Sequence, residues 1–360
     1  MSRFGVEPKP PWRQLPEGVR QSAEGLLGTR VAHAARVYGG YSPSATYRLR
    51  LDDGQRVFFK GMGGAMADDY MTRSIHAEEQ TYRRLDPFIT PWAPHFLGAF
   101  TSDGWHVLLM EDLGRSTVPP WSPAKLRAAA RSFAAFHQHN IRRRLPRWLP
   151  EQGWRKFATP WEQLATGPGG LHAPAVLAGR QAARARRWLS ECVPVLGASA
   201  ARLARPVRHR TLLHLDTRSD NVRLTGDQLR IFDWNLASAG PAEFDAAMLA
   251  GSIAAEPGPA PERFIQAYAQ VLPLDAPLLA ACVSGLAGYF CASAWRPPMP
   301  HLPRLREGQK RHLKAFVAWA ARLHNLPEPG WLDALRIDPP APLPARPSRK
   351  AARLPGAGGL

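Results

Sequence analysis

Asparagine is nearly missing from this 360-residue chain, which has only four, and lysine is almost as scarce, with seven against forty arginines. A bias of that kind acts on the whole chain, so an Asn or Lys at a motif position is seldom there by chance. Cysteine is equally thin. Cys192, Cys282 and Cys291 are too few and too widely spaced for a disulfide framework or a cysteine zinc site, and a reducing, cytoplasmic setting is expected. No Gly-Lys dipeptide occurs, which excludes a P-loop, and no Gly-x-Ser-x-Gly occurs, which excludes a nucleophile elbow. Gly61-Met-Gly63-Gly64-Ala-Met66 opens like a dinucleotide fingerprint, but Met66 stands where the last Gly belongs. The N-terminal residues, with Pro8, Pro10 and Pro11, lack the apolar run of an export signal, so export is not expected.

Acidic residues are also short, at 29 against 47 basic, for a net charge of +18. Such an excess suits a polyanionic partner. Long uncharged stretches are rare. The one from Ala276 to Trp295 has the length of a membrane span, yet Pro277, Ser284, Gly285, Gly288 and Ser293 interrupt it, so it is expected as a buried core helix and no membrane partner is expected.

The length exceeds what one hydrophobic core usually serves, so two lobes are expected. Residues 1–20 carry four prolines and read as an irregular leader, and 339–360 read as a disordered basic, Pro-rich tail. Between them the first third is β-rich. Val31–Tyr38, Thr46–Leu51 and Arg56–Lys60 have strand patterns, with Asp52-Asp53-Gly54 as a hairpin turn. A short helix is expected over His76–Leu85, and another strand over Trp105–Met110. Helices dominate from Ser122-Pro123 onward, interrupted by a β-hairpin near Leu212–Phe232 whose turn is Thr225-Gly226-Asp227.

The strongest constellation is His214-Leu-Asp216-Thr-Arg218-Ser-Asp220-Asn221, with Asp233-Trp234 twelve residues beyond Asn221. Phosphoryl transfer to a hydroxyl needs a carboxylate to orient the acceptor and take its proton, and oxygen ligands to hold Mg²⁺ across the phosphates. An Asp and an Asn five residues apart, followed by a second Asp at the end of a hairpin, supply those parts. Either piece alone would read as a turn or a strand end.

The arrangement resembles the aminoglycoside phosphotransferase and choline kinase-like family, whose fold is similar to that of protein kinases. The resemblance implies an α+β, bilobal fold with an antiparallel-sheet N-lobe (21–113) and a mostly helical C-lobe (114–338). It implies Asp216 as catalytic base, Asn221 and Asp233 as Mg²⁺ ligands, and ATP or GTP as phosphate donor. Leu215 stands where the family usually has Gly, and Arg218 where His is common. Gly39-Gly40-Tyr41-Ser42 looks like the nucleotide-covering loop, Lys60 like the lysine on the α- and β-phosphates, and Glu78, rather than Glu79, like its helix partner. Met110-Glu111-Asp-Leu113-Gly114 looks like the linker whose backbone, through Glu111 and Leu113, recognises the base. Gly240-Pro-Ala-Glu-Phe-Asp245 resembles the family's turn in which the last Asp caps a helix under the metal loop. Arg218, two residues after Asp216, is expected either to steady charge on the transferring phosphate or to stand in solvent away from it.

Charge then bears on the acceptor. Between Ala246 and Leu335 there are eight basic and six acidic residues, which provides no acidic pocket for a polycation. A neutral or anionic hydroxyl compound, such as a sugar or hydroxylated metabolite, is expected instead. The arginine clusters at 142–147, 184–187 and 202–210 lack a nucleic-acid reading motif and are expected as solvated faces, not a nucleic-acid footprint. Two alternatives stand beside this reading: a pseudokinase that binds nucleotide without transfer, and a basic nucleic-acid-associated module.

Overall fold

The computed structural model describes residues 9–38, 43–64, 67–115, 118–151, 153–299, 302 and 304–338. The expected nucleotide-covering residues Gly40, Tyr41 and Ser42, the first eight residues and the basic tail lie outside this set. Helix α1 (Glu17–Leu27) precedes a five-stranded antiparallel sheet of β1 (Val31–Arg36), β2 (Ala45–Leu51), β3 (Arg56–Gly63), β4 (Phe96–Ser102) and β5 (Trp105–Glu111), ordered β1-β2-β3-β5-β4. Helix α2 (Asp69–Ile89) lies between β3 and β4 in sequence.

Three expectations are corrected here. The leader is not irregular throughout, because α1 starts at Glu17 and buries Val19 and Ala23 with Leu15 against the sheet. The helix expected at His76–Leu85 runs from Asp69 to Ile89, because the Asp68 carboxylate accepts the Met71 amide at 2.7 Å and caps it two turns earlier. Strand β4 was not expected at all. It joins β5 through Asp103 (φ 48°) and Gly104 (φ 71°), and positive φ at both residues is the signature of a tight two-residue hairpin turn.

The period of two along β5 builds two cores. Trp105, Val107 and Leu109 face α1 with Tyr47, Leu49, Val57 and Phe59, whereas Leu108 and Met110 face α2 and the helical part. The same alternation in β3 sends Phe59 to the α1 side and leaves Lys60 facing α2.

The helical part comprises α3 (Pro123–Ile141), α4 (Pro160–Thr166), the single-turn α5 (His172–Ala175), α6 (Ala182–Ala200), α7 (Ala242–Ala255), α8 (Pro261–Ala269), α9 (Ala276–Ser293) and α10 (Leu305–Leu323). Ser122 caps α3 through the Lys125 amide at 3.2 Å, with Pro123 at the first helical position. Between α6 and α7 run β6 (Thr211–Leu213), the hairpin β7 (Val222–Thr225) and β8 (Gln228–Ile231), and β9 (Ser238–Gly240), which pairs with β6. The apolar segment at Ala276 is α9, which packs against α4, α6, α7 and α10 with most of its residues buried. It is the one helix, among the described residues, long and apolar enough to cross a membrane. The three cysteines are buried free thiols, and the arginines at 142–144, 184, 186, 187, 202, 205 and 208 are exposed.

Helices α7 and α10 approach closely at Gly251, where an added Cβ would lie 2.2 Å from the Phe316 ring. That ring is fully buried and stacked on Phe290 at 5.4 Å, so it has nowhere to swing. Gly251→Ala is expected to cost about 1–3 kcal/mol through overpacking, despite the better helix former. Gly25→Ala in α1, where nothing lies within 4 Å of the new methyl, is expected to gain about 0.5–1 kcal/mol. Urea unfolding of both variants measures the contrast; equal midpoints would contradict it.

Candidate active site

Lys60 sits on β3 opposite Thr46 and Leu108, with its side chain largely withdrawn from solvent. Its ammonium lies 2.5 Å from Glu78 Oε2 on α2 and 2.5 Å from Asp233 Oδ1 after β8. Burial pulls the ammonium pKa down, but the two carboxylates outweigh it and the net shift is upward. For Asp233, burial pushes upward and Lys60 more than offsets it, so the carboxyl is held below its ordinary value. Glu78, with only 1% of its side chain exposed, is pushed up by burial against the pull of Lys60. Glu79 points elsewhere, to Arg83 and His106, which selects Glu78 as the partner of Lys60.

The loop after β6 carries His214, Asp216, Arg218 and Asn221. The Asp245 carboxylate accepts the His214 amide at 2.6 Å and the Leu215 amide at 2.9 Å, and Thr217 Oγ1 donates to the Asp245 carbonyl at 3.1 Å. Asp245 lies inside α7, not at its start, so the expected helix cap is corrected: the carboxylate pins the loop instead. Leu215 has φ 67°, a left-handed conformation that glycine adopts without penalty, which accounts for the glycine usual there. Asp233 is also left-handed at φ 71°.

His214 ties the loop to the strand. Its Nδ1 accepts the Asp216 amide at 3.2 Å, so its Nε2 carries the proton and donates to the Phe232 carbonyl at 3.0 Å. The ring stands edge-on to Trp234 at 4.7 Å. The sequence motif therefore closes on itself, with the neutral histidine joining Asp216 to the residue before Asp233.

Asp216 receives Arg218 in a two-pronged pair, Nε to Oδ1 at 2.7 Å and Nη2 to Oδ2 at 3.0 Å. Asn221 Nδ2 donates to Asp216 Oδ2 at 3.1 Å and to its carbonyl at 2.9 Å. A carboxylate has about four acceptor sites, and three are taken, which leaves one on Oδ1. Burial raises the Asp216 pKa, with Arg218 opposing. Asn221 spends its amide nitrogen on Asp216, and Asp233 meets Lys60 through Oδ1. Both residues line one cleft, and their remaining oxygens make a hard donor set that fits Mg²⁺.

Two clefts meet at Lys60. The first, of about 270 Å³, is lined by Lys60, Met110, Glu111, Leu113, Asn221, Arg223 and Asp233. Its linker wall is fixed by ion pairs, Glu111 with Arg230 at 2.5 Å and Asp112 with Arg48 at 3.1 Å. The second, of about 460 Å³, is lined by Asp216, Arg218, Lys60 and Asp233 together with Tyr70, Met71, Met248, Tyr289, Leu302 and His312. Ser44, Lys60 and Asp233 belong to both. The sequence reading did not find Tyr70, Met71, Met248, Tyr289, His312 or Arg223. For Tyr70 and Met71 a signal existed, the Asp68 cap; the others come from scattered helices with no shared motif.

Residues 33–280, about two thirds of the chain, match the model of the phosphotransferase enzyme family. The chain belongs to that family and is a phosphotransferase of the small-molecule kinase class. No curated protein matches it in sequence. Among solved structures it is similar to a spectinomycin phosphotransferase in complex with ADP and spectinomycin, at 15% identity and a TM-score of 0.56, covering 87% of this chain and 100% of that one. Amicoumacin kinase with AMP-PNP and Ca²⁺ aligns at 14% identity and a TM-score of 0.51, over 89% of this chain and 95% of that one. A Thermobifida fusca YX-ER1 protein assigned as a fructosamine-3-kinase is 20% identical at a TM-score of 0.50, over 82% and 98%. At these identities the likeness shows the fold: an antiparallel-sheet N-terminal lobe and a helical C-terminal lobe of the protein-kinase type.

Asp245→Ala would orphan two buried backbone N–H groups, at about 1–3 kcal/mol each. Urea unfolding is expected to show that loss, while Asp245→Asn, which keeps one acceptor, loses less. Equal stability of Asp245→Ala and the parent would show that the loop does not depend on this carboxylate.

Proposed function

We propose that the enzyme moves the γ-phosphate of ATP to a hydroxyl of a small uncharged or anionic acceptor that has an apolar body. The observation that carries this reading is the meeting of the two clefts at Lys60 and Asp233, with Asp216 on the larger cleft and the linker backbone on the smaller. In the smaller cleft, Lys60 would bind the α- and β-phosphates, and the backbone of Glu111 and Leu113 would read the base. The ADP and AMP-PNP held by structures of the same fold support a nucleoside triphosphate donor. Asn221 and Asp233 would hold Mg²⁺, which when bound neutralises charge on the phosphates.

In the larger cleft the acceptor hydroxyl would sit at the remaining lone pair of Asp216 Oδ1. Its oxygen bonds to the γ-phosphorus while the bond from that phosphorus to the β–γ bridging oxygen breaks. The hydroxyl proton passes to Asp216, and ADP leaves with the bond's electron pair. Arg218 would keep the Asp216 carboxylate turned toward the acceptor and place positive charge beside the transferring group.

Charge in the larger cleft supports the acceptor assignment. Lys60 is engaged by Glu78 and Asp233, with Asp233 also facing the Mg²⁺ that it would hold, Arg218 is engaged by Asp216, and Asp68 caps α2. His312, held to about 4 by burial, is neutral at pH 7. The rest is apolar or uncharged: methionines 62, 71, 248 and 299, Leu302, Phe290, and the Tyr70 and Tyr289 hydroxyls. Among the described residues of the cleft, Asp68 is the one carboxylate without a cationic partner, too few for a polycationic antibiotic. A reducing cytoplasm suits the three free thiols.

Asp216→Asn is expected to bind nucleotide as the parent does and to lose ~10²–10⁴-fold in turnover, the range for removing a general base. Unchanged turnover would refute the assignment, and a parent without turnover toward any acceptor would favour nucleotide binding without transfer. In an ADP-release screen, uncharged hydroxyl compounds with apolar bodies are expected to stimulate and aminoglycosides are not. Stimulation by polycations alone would overturn the acceptor class.

A further inference from the structure

Where α2 meets β5, at a place apart from Lys60, three donors converge. His76 and Glu79 are three residues apart and share a helix face, and His106 reaches them from β5. The imidazole centroids of His76 and His106 are 3.9 Å apart, and Glu79 Oε2 is 2.8 Å from His106 Nε2. One ligand atom from each of the three residues falls within 4.8 Å of the other two.

His106 Nδ1 is bonded to Thr101 Oγ1 at 3.0 Å, which leaves Nε2 as the nitrogen turned to Glu79, and a cation would take the place of that contact between nitrogen and carboxylate. Two imidazoles and a carboxylate with ligand atoms this close together form a site for a cation that accepts nitrogen lone pairs.

We propose that His76, Glu79 and His106 bind a divalent transition-metal ion of the Zn²⁺ class. Imidazole-rich donor sets suit Zn²⁺ and its neighbours, whereas Mg²⁺ prefers oxygen. Tetrahedral Zn²⁺ with bonds of about 2.0–2.2 Å separates its donors by about 3.3–3.6 Å, so His106 Nε2 and Glu79 Oε2, at 2.8 Å, would move apart slightly to admit it. Outer partners are in place: Thr101 on the far nitrogen of His106, and Arg83 Nε on the other Glu79 oxygen at 2.6 Å. His76 is exposed, so a water from solvent can complete the tetrahedron. The ion would tie α2 to β5 one residue from Glu78, and so stiffen the helix that carries the partner of Lys60. This site is separate from the Mg²⁺ oxygens and stands whether or not the acceptor assignment does.

The test uses the full chain, freed of metal by a chelator and exchanged into Mg²⁺ buffer. Calorimetric titration with ZnCl₂ is expected to show one tight site, and Zn²⁺ to raise the thermal midpoint. Loss of a ligand should exceed the about 10–100-fold that outer partners typically cost, so His76→Ala and Glu79→Gln are expected to weaken Zn²⁺ by at least ~10-fold. His76 is exposed, so its variant should keep the parent's midpoint without zinc, and Thr101→Val should weaken zinc while leaving all three ligands. Absence of a tight site in the parent, or a site of the same affinity in His76→Ala and Glu79→Gln, would overturn the proposal.

Discussion

One ammonium group gathers the site. Lys60 Nζ brings together a strand, a helix 18 residues on and a loop 173 residues on. Burying such a charge in a cleft is tolerable only because two carboxylates meet it, and losing one partner of a buried pair costs about 3–5 kcal/mol. Glu78 is reached because α2 is anchored early, by Asp68, and because its face toward β3 carries Ile75, Glu78 and Tyr82. Asp233 is reached because the β7–β8 hairpin ends in a left-handed residue that turns its carboxylate into the cleft. The position of the ammonium thus depends on the register of β3 and the start of α2 together.

A second fixed point lies beneath. Asp245, buried in α7 with His137 Nε2 at 3.6 Å, holds the His214–Leu215 amides, and His137 in turn meets the Tyr268 hydroxyl at 2.6 Å. The left-handed residues at 215 and 233 cost of order 1–3 kcal/mol each and persist where surrounding bonds over-determine them. Here those bonds are the Asp245 carboxylate on one side and the His214–Phe232 link on the other. Asp216 and Asn221, between these restraints, are oriented before any ligand arrives.

Legibility in the sequence followed the side chains. Asp216, Asn221 and Asp233 could be singled out because phosphoryl transfer dictates such residue types and the chain is poor in Asn, whereas Lys60 and Glu78 came from the family resemblance; the structure brings Lys60, Glu78 and Asp233 together, and Asp216 and Asn221 together. Glu111 and Leu113 were placed by position alone, since backbone recognition leaves no mark on side chains. Strand β4 escaped because Phe96 to Phe100 is an unbroken run of apolar residues and glycine with no alternation to show a period of two, although Asp103-Gly104 marks a hairpin turn. The role of Asp245 was misjudged because a carboxylate near a helix start can serve the helix or a neighbouring loop, and only tertiary proximity decides between them. The larger cleft was not legible. Its walls come from α2, α7, α9, α10 and the segment between the last two, each contributing one or two residues that alone look like ordinary core.

Strand β5 has one further consequence. Consecutive residues alternate between two cores, with Leu109 in one and Leu108 and Met110 in the other. Melting the sheet would strip apolar cover from the helical core, and melting the helices would expose one face of the sheet. Heat or denaturant therefore meets a molecule whose halves share a wall, and the loss of either is felt by both within a single cooperative transition. A strand of seven residues acts as the thermodynamic coupling between the sheet lobe and the helical lobe.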